Sequence, residues 1–445
     1  MRSYIPNTKE EQLEMLQAIG LDSIDDLFPD IPDAARLKRP LDLEKGKSEQ
    51  EVRRIFKAFA SEAGDLPLFR GAGAYRHYIP SVVDMVAARS EFYTAYTPYQ
   101  PEMSQGMLQA IFEYQTLICQ LTGLDASNAS VYDGGSACAE AMIMLRGITR
   151  KNKVLYSAGL NPEYVAILKT YARFVGFELT EIPLDREGRT DFNALEANLE
   201  GAAGLLLQNP NFLGIVEDME SAATMLHKKG ALLTAVVNPT SLGLLKRPGD
   251  YGADIAVGEG QPLGLPLSVG GPYLGFMATK QQYIRHLPGR IAGETVDAEG
   301  NRAYVLTLQA REQHIRREKA SSNICSNQSL CALRAAAYLA AMGPAGMREV
   351  ATQCLQKAHY LYEGILRIPG MRARYQNTPF FHEFVIDCEK EALALNAALK
   401  ARGFIGGLPL SRYFPGDNGI LYCATEQNTR EELDAFLTAL EEVAK

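Results

Sequence analysis

The stretch ADIAVGEGQPLGLPLSVGGPYLGFMAT, residues 253–279, holds two short apolar runs joined by a loop crowded with glycine and proline. Apolar runs of this length, bounded by turn residues, read as buried strands. In open α/β sheets ligands gather at the carboxyl ends of the strands, so the loop after such a strand is where chemistry is expected. Yet from Gly258 to Gly275 there is no lysine, histidine, cysteine or aspartate, and the only charged side chain is Glu259. The fold is legible here, and the reactive group is missing.

Working outward, KVLY, FELTEIPL, GLLLQNP and ALLTAVVNP precede this stretch as further strand-like runs. NPEYVAILKTYARFVG and DMESAATMLHKKG lie between some of them with helical spacing. Strands alternating with helices predict a mainly parallel sheet covered on both faces. PEMSQGMLQAIFEYQTLICQLTG reads as one long helix, with Met103, Met107, Leu108, Ile111, Phe112, Ile118 and Leu121 largely on one face. Thr8 and Glu11 form a capping box ahead of Leu13, Leu16 and Ile19. Beyond Glu312 the texture changes to a long alanine-rich helix, the strands FHEFVIDC and ILYCATEQ, and a closing helix behind a second capping box, Thr429 to Glu432. The expected organisation is a helical segment at 1–65, a large α/β domain at 66–311 and a smaller α+β domain at 312–445.

The chain has 445 residues, 47% of them apolar and 22% charged, which is the make-up of an ordinary globular protein. Its net charge of -8 argues against nucleic acid or an anionic membrane as the main partner. No window is read as the roughly 18 consecutive apolar residues of a membrane span. The start, MRSYIPNTKEEQLEML, lacks the layout of a signal peptide, so a cytoplasmic protein is expected. Seven cysteines, odd in number and without a CxxC pair, read as small buried thiols, and no His/Cys cluster has metal-ligand spacing.

Four runs could carry chemistry. In YDGGSACAEA, residues 132–141, Gly134, Gly135 and Ser136 open a helix whose N–H groups could hold a phosphate; the plainer reading is a tight turn into a buried helix. In VVNPTSLG, residues 236–243, Asn238 follows a strand and could touch a ligand, although an Asn-Pro step more often just starts a turn. EFYTAYTPYQPEMSQG, residues 91–106, is an aromatic loop suited to contact with another surface, or to packing. REQHIRREKASSNICSNQS, residues 311–329, alternates charge and reads as a solvated helix face.

Longer words in the chain are more specific. EFYTAYTPYQPEMSQGMLQAIFEYQTLICQLTGLDASNASVYDGGSA, GAGAYRHYIP, DIAVGEGQPLGLPLSVGGPYLGFMATK, LPGRIAGETVD and AYVLTLQAREQHIRREKASSNICSNQ together resemble the P-protein of the glycine cleavage system, over nearly the whole length. The resemblance implies a fold-type I, aminotransferase-like shell dependent on pyridoxal phosphate (PLP). It implies decarboxylation of glycine and transfer of the aminomethyl group to the lipoyl arm of the H-protein. In some organisms the two similar halves of the P-protein are separate subunits, and this chain resembles the N-terminal half, subunit 1. The resemblance also accounts for the empty loop. In the other half the equivalent loop carries a His-Lys pair whose lysine holds PLP. Those positions fall on Gln261 and Pro262 here, and the aspartate that pairs with the pyridinium nitrogen falls on Asn238. Proline cannot form an imine, and an amide cannot hold the ring proton as a carboxylate does.

The expectation is therefore a degenerate half-site without a catalytic residue or covalent cofactor of its own and without a metal, paired with the PLP-bearing subunit 2 in an α2β2 assembly. Tyr96, Thr97, Tyr99, Gln100, Ser104 and Gln105 of the aromatic loop, with Arg76, His77 and Tyr78, are the candidates to complete the partner's glycine and lipoyl pocket; for a lone histidine such as His77, hydrogen-bonded structure is the commoner role. Gly134, Gly135 and Ser136 would be a vestigial phosphate loop. Three alternatives stay open: a purely structural subunit, an independent PLP enzyme using Lys246 or Lys280, and, more remotely, a cysteine hydrolase.

Overall fold

The computed structural model describes residues 6–309, 312–320, 322–324 and 326–445. Residues 1–65 and 66–445 form two separate compact units. The first holds α1 (Lys9–Ala18) and α2 (Glu49–Ala63), and each begins at a complete capping box, Thr8 with Glu11 and Ser48 with Glu51. Of the three apolar residues predicted to define the first helix, only Leu16 is buried; Leu13 and Ile19 are exposed. Helix α2 also presents Val52, Ile55, Phe56 and Phe59 as exposed apolar side chains.

The second unit is built on a seven-stranded sheet. Its strands are β1 (Ala126–Ser127), β2 (Lys153–Ser157), β3 (Glu178–Ile182), β4 (Ala202–Asn209), β5 (Leu232–Val237), β6 (Ile255–Glu259) and β7 (Gly275–Thr279), in the order β1-β7-β6-β5-β4-β2-β3. Strands β2 to β6 pair in parallel, and β7 and β1 close the edge antiparallel. Side chains alternate between the faces, as a period of two requires. Val154, Tyr156, Leu206, Val236, Val257 and Met277 join one core with α6 (Gly134–Thr149) and α7 (Pro162–Val175). Leu155, Leu205, Leu207, Leu233, Ala235, Ala256 and Phe276 join the opposite core. That core is covered by α5 (Gln105–Thr122), α8 (Phe192–Asn198), α9 (Met219–Lys228) and the first part of α11 (Ser329–Ile365). The expected parallel sheet, covered on both faces, is present.

Two short helices, α3 (Ser81–Ala87) and α4 (Ser90–Tyr93), lead into the aromatic loop. Helix α5 starts later than the sequence pattern indicates: Met103 lies before it, in a 3-10 turn, and is exposed. A hairpin, β8 (Ile291–Val296) with β9 (Arg302–Thr307), packs on α5 and is followed by α10 (Gln313–Arg316).

The C-terminal part carries an antiparallel sheet in the order β10-β11-β13-β12. Its strands are β10 (Met371–Ala373), β11 (Glu383–Cys388), β12 (Leu408–Pro409) and β13 (Gly419–Cys423), with α12 (Ala392–Ala401) and α13 (Arg430–Ala444) in the same core. Phe69 from the start of the unit inserts into that core and stacks on Phe436, ring centroids 3.9 Å apart. Helix α11 is long and apolar enough by length and composition to cross a membrane, which the sequence reading did not anticipate. It is kinked at Gly343 and Pro344, and its two halves contribute to different cores of this fold.

Candidate functional site: a closed place at the sheet edge and an open aromatic cleft

Strands β4, β5 and β6 end side by side at Asn209, Val237 and Glu259, next to the first turn of α6. This is where a doubly wound sheet holds a ligand. Here the chain fills the place with its own groups. Strand β6 runs two residues into the stretch that the sequence presents as loop, and Glu259 at its end is buried. The Gly134 N–H donates to Glu259 Oε2 at 3.0 Å. The Gln261 and Leu274 N–H groups donate to Oε1 at 2.9 Å and 3.1 Å. Burial pushes the Glu259 carboxyl up to about 8, against the pull of these three amides.

Gln261, one of the two positions matched to the His-Lys pair, is also buried. Its Oε1 accepts from the Tyr75 N–H at 2.8 Å, and its Nε2 donates to the Tyr75 and Leu265 carbonyls at 2.9 Å and 2.8 Å. The GAGAYRHYIP segment is thereby laid across the carboxyl ends of these central strands. It is fastened again where the Tyr75 hydroxyl and the Ala72 N–H donate to Glu383 at 2.7 Å and 2.6 Å. What remains is a cavity of about 30 Å³ lined by Gly73, Tyr75, Asn161, Tyr164, Gln208, Asn238, Glu259 and Pro262. A cofactor pocket is on the order of 300–1,000 Å³. This one has room for a water or two.

Asn238 behaves as the plainer reading has it: its Oδ1 accepts from the Thr240 N–H at 3.0 Å and caps a 3-10 turn. Its Nδ2 faces His382 Nε2 at 3.1 Å. An amide can only donate from that nitrogen, so the ring accepts at Nε2 and carries its proton on Nδ1. Burial pushes His382 down to about 3, so the ring is neutral. The residues present do not fit PLP: they offer no amine, no acidic partner for a ring nitrogen and no volume. The alternative lysines do not supply an amine either. Lys246 pairs with Glu220 on the surface, and Lys280 pairs with Asp254 at the opposite end of β6.

Gly134, Gly135 and Ser136 form the first turn of α6. The Ser136 N–H is capped by Asp133 Oδ1 at 2.7 Å. A Cβ on Gly134 would meet the Tyr164 hydroxyl and the Glu259 backbone, and one on Gly135 would meet the Ile167 side chain. The turn is therefore covered by α7 as well as by Glu259.

His77 is buried, with its Nδ1 2.7 Å from Glu426 Oε2. The Tyr78 N–H donates to Glu426 Oε1 at 2.6 Å, and Thr425 Oγ1 donates to the Arg76 carbonyl at 2.7 Å. Arg76 and Tyr78 have exposed side chains. Cys354 Sγ joins His77 and Glu426 in a group whose donor atoms lie within 4.8 Å of one another, although the His77–Glu426 separation is that of a hydrogen bond. The six cysteines among the described residues are unpaired, and burial raises all six: Cys138, Cys331, Cys354, Cys388, Cys423 and the partly buried Cys119. None is activated as a nucleophile.

The aromatic loop lies in a different setting. Tyr96, Tyr99 and Gln100 are exposed, Thr97 and Ser104 are half-buried, and Gln105 is spent on structure through bonds to the Tyr304 backbone in both directions. The Tyr99 hydroxyl accepts from Arg290 Nη2 at 3.0 Å. Tyr96 Oη lies 3.4 Å from Ser326 Oγ. A cleft of about 490 Å³ opens beside Tyr99, lined by Arg290, Glu312, His314, Arg317 and Asn323. Arg290 and Glu312 are buried, their closest charged atoms 3.7 Å apart, and Arg290 Nε and Glu312 Oε1 have no hydrogen-bond partner. The sequence reading took the charged run at 311–329 for a solvated face and so missed Glu312 and His314; Arg290 lies outside that run and was not singled out. It also missed Glu259, though a single charge in an otherwise apolar loop was a usable signal.

Comparison with known proteins agrees with the resemblance. The family model described as "Glycine cleavage system P-protein" matches residues 2–440. The "Probable glycine dehydrogenase (decarboxylating) subunit 1" of Moorella thermoacetica is 55% identical, covering 98% of this chain and 99% of that one. The protein of the same name from Desulfitobacterium hafniense is 51% identical over 99% of this chain and 100% of that one. A solved structure of glycine decarboxylase (P-protein) of the glycine cleavage system, in inhibitor-bound form, superposes with a TM-score of 0.91 at 48% identity, covering 99% of this chain and 100% of that one. A cysteine desulfurase from Thermococcus onnurineus shares the fold at a TM-score of 0.63 and 16% identity, over 90% of this chain and 99% of that one.

Proposed function

The chain belongs to the glycine cleavage system P-protein family, and from that premise we propose that it is the cofactor-free half of a two-subunit glycine dehydrogenase (decarboxylating). Its partner is a second subunit that holds PLP, and the two assemble as α2β2. When bound to that partner, PLP supplies the electron sink for loss of the glycine carboxyl group. The overall reaction releases the carboxyl carbon as CO2. The electron pair of the broken C–C bond reduces the lipoyl disulfide of the H-protein: one sulfur takes the aminomethyl carbon and the other takes a proton. The location that goes with this reading is the cytoplasm.

The observation that carries the proposal is that Glu259, Gln261 and Tyr75 fill the place where this fold would hold a cofactor, which supports the reading that the chemistry resides on the partner. This chain's contribution is then at a boundary with the partner. The exposed Tyr96, Tyr99 and Gln100, beside a cleft of about 490 Å³, are suited to it. Tyr99 is held by Arg290, so its ring is positioned before any partner arrives. In this role the loop orients the substrate and excludes water, while Arg290 supplies fixed positive charge behind it. His77, buried between Glu426 and Thr240, holds the Arg76–Tyr78 turn in shape and does not itself reach a substrate.

The test is glycine–bicarbonate exchange with lipoylated H-protein. The chain alone gives none, the chain mixed with subunit 2 gives exchange, and exchange by this chain alone would end the proposal.

A further inference from the structure

We propose that Glu259 is a built-in occupant of the phosphate place: its carboxyl group holds the start of α6, so the chain excludes inorganic phosphate and phosphorylated pyridines. This deepens the half-site reading, on which it rests.

The argument begins with donors. A helix start exposes N–H groups that favour an anion. At α6 the Gly134 N–H is taken by Glu259 and the Ser136 N–H by Asp133. Glu259 collects two further N–H groups from its own loop, those of Gln261 and Leu274, so both of its oxygens are engaged. Three amide donors converging on the two oxygens of one carboxyl group are donors that a bound phosphate would otherwise have to recruit. The surroundings fit that occupant and nothing larger. Tyr164 and Ile167 close over Gly134 and Gly135, and about 30 Å³ is left beside the carboxylate. An incoming phosphate would have to displace a side chain tethered by the β6 backbone, from which Glu259 projects.

The occupant also links two parts of the site. Gln261 is placed by the N–H bond its backbone gives Glu259, and the Gln261 side chain then fastens Tyr75. Losing the carboxylate would therefore free the donors and loosen the cover together.

The experiment uses the full chain, with radiolabelled inorganic phosphate and pyridoxamine phosphate as probes in equilibrium dialysis; the amine form cannot be captured by surface lysines. Wild type and Glu259→Gln, which keeps the volume and an acceptor oxygen, should bind neither probe saturably. Glu259→Ala should bind phosphate saturably, with about tenfold or more phosphate retained than by wild type at the same free concentration. If that variant does not fold, wild type decides by amide hydrogen exchange. The segment from 131 to 137 should be protected without added anion and unchanged by millimolar phosphate. Saturable binding by wild type, protection that rises on adding phosphate, or a folded Glu259→Ala that binds nothing would each overturn the proposal. None of these outcomes bears on exchange after mixing with subunit 2, so the half-site reading stands or falls separately.

Discussion

Gln261 pairs with Tyr75 as one strand residue pairs with another: its side-chain oxygen takes the Tyr75 N–H and its side-chain nitrogen serves the Tyr75 carbonyl, at 2.8 Å and 2.9 Å. The glutamine matched to a family histidine thus performs backbone work, 186 residues away in sequence from the segment it holds. Buried polar groups of this kind matter most when one partner is removed, because the groups left behind are cut off from water.

Replacing Gln261 by alanine strands the Tyr75 N–H and the Tyr75 and Leu265 carbonyls at once. The expected loss is about 2–4 kcal/mol of stability, read from denaturant unfolding. Gln261→Glu should do no better: it keeps an acceptor for Tyr75 but gives up both donated bonds and buries a second carboxyl near Glu259. A variant that unfolds at the wild-type midpoint would show that the latch contributes nothing.

Restoring a lysine should not restore cofactor binding. Pro262→Lys, incubated with PLP and treated with borohydride, is expected to give no adduct at residue 262 by peptide mass spectrometry. The amine would enter a space of about 30 Å³ closed by Glu259 and Tyr75. A stoichiometric adduct there would mean that the missing lysine is the only defect.

The pH dependence of stability has a worked sign. Burial pushes Glu259 to about 8 and Glu383 to about 7 in the folded chain, above the ordinary 4.5. The folded state then keeps protons that the unfolded state releases, so the stability these groups contribute is full below about 4.5 and declines as pH rises through 7 and 8. His382 is displaced the other way, to about 3 from 6.5, so its contribution is lost as pH falls below 6.5. Between about 4.5 and 6.5 the two carboxyls outweigh the histidine, so these three groups put the stability maximum near pH 4.5, and each raised carboxyl should add up to about 1.4 kcal/mol per pH unit to the decline above it. Unfolding midpoints of wild type and Glu259→Gln at pH 6 and pH 8.5 check this. The decline should be shallower in the variant, and parallel declines would remove Glu259 as a cause.

Much of this fold follows from residue patterns, and much of the site does not. The runs at β2, β4, β5 and β6 announce themselves because each is apolar on both faces, as a covered parallel strand must be. Thr8 and Thr429 mark helix starts because capping chemistry is local. The start of α5 was misplaced because Met103 continues the apolar rhythm while Pro101 and Ser104 set a 3-10 turn. The absence of a lysine at Pro262 could be inferred only through the family resemblance. The partners that close the place could not be read in advance: Glu259 with Gly134, Gln261 with Tyr75, Asn238 with His382, and Arg290 with Tyr99 are each separated by more than 100 residues. Such pairs are made by topology, and no spacing rule records them.

The aromatic loop separates a contributing subunit from a merely structural one. Tyr99→Phe keeps the ring and removes only the hydroxyl that accepts from Arg290. Because Tyr99 is half exposed, the isolated chain should lose less than about 1 kcal/mol of stability. Exchange by the mixed subunits should nevertheless fall about tenfold, a cost of about 1.4 kcal/mol in the transition state. Tyr96→Ala and Gln100→Ala should act in the same direction, with assembly on a sizing column unchanged. The measurement is exchange rate against glycine concentration for each assembled variant. A loss confined to the rate at saturating glycine would assign the loop to positioning during the reaction, and a loss confined to half-saturation would assign it to binding glycine. Full activity in all three, with assembly intact, would leave this chain only the stabilising role.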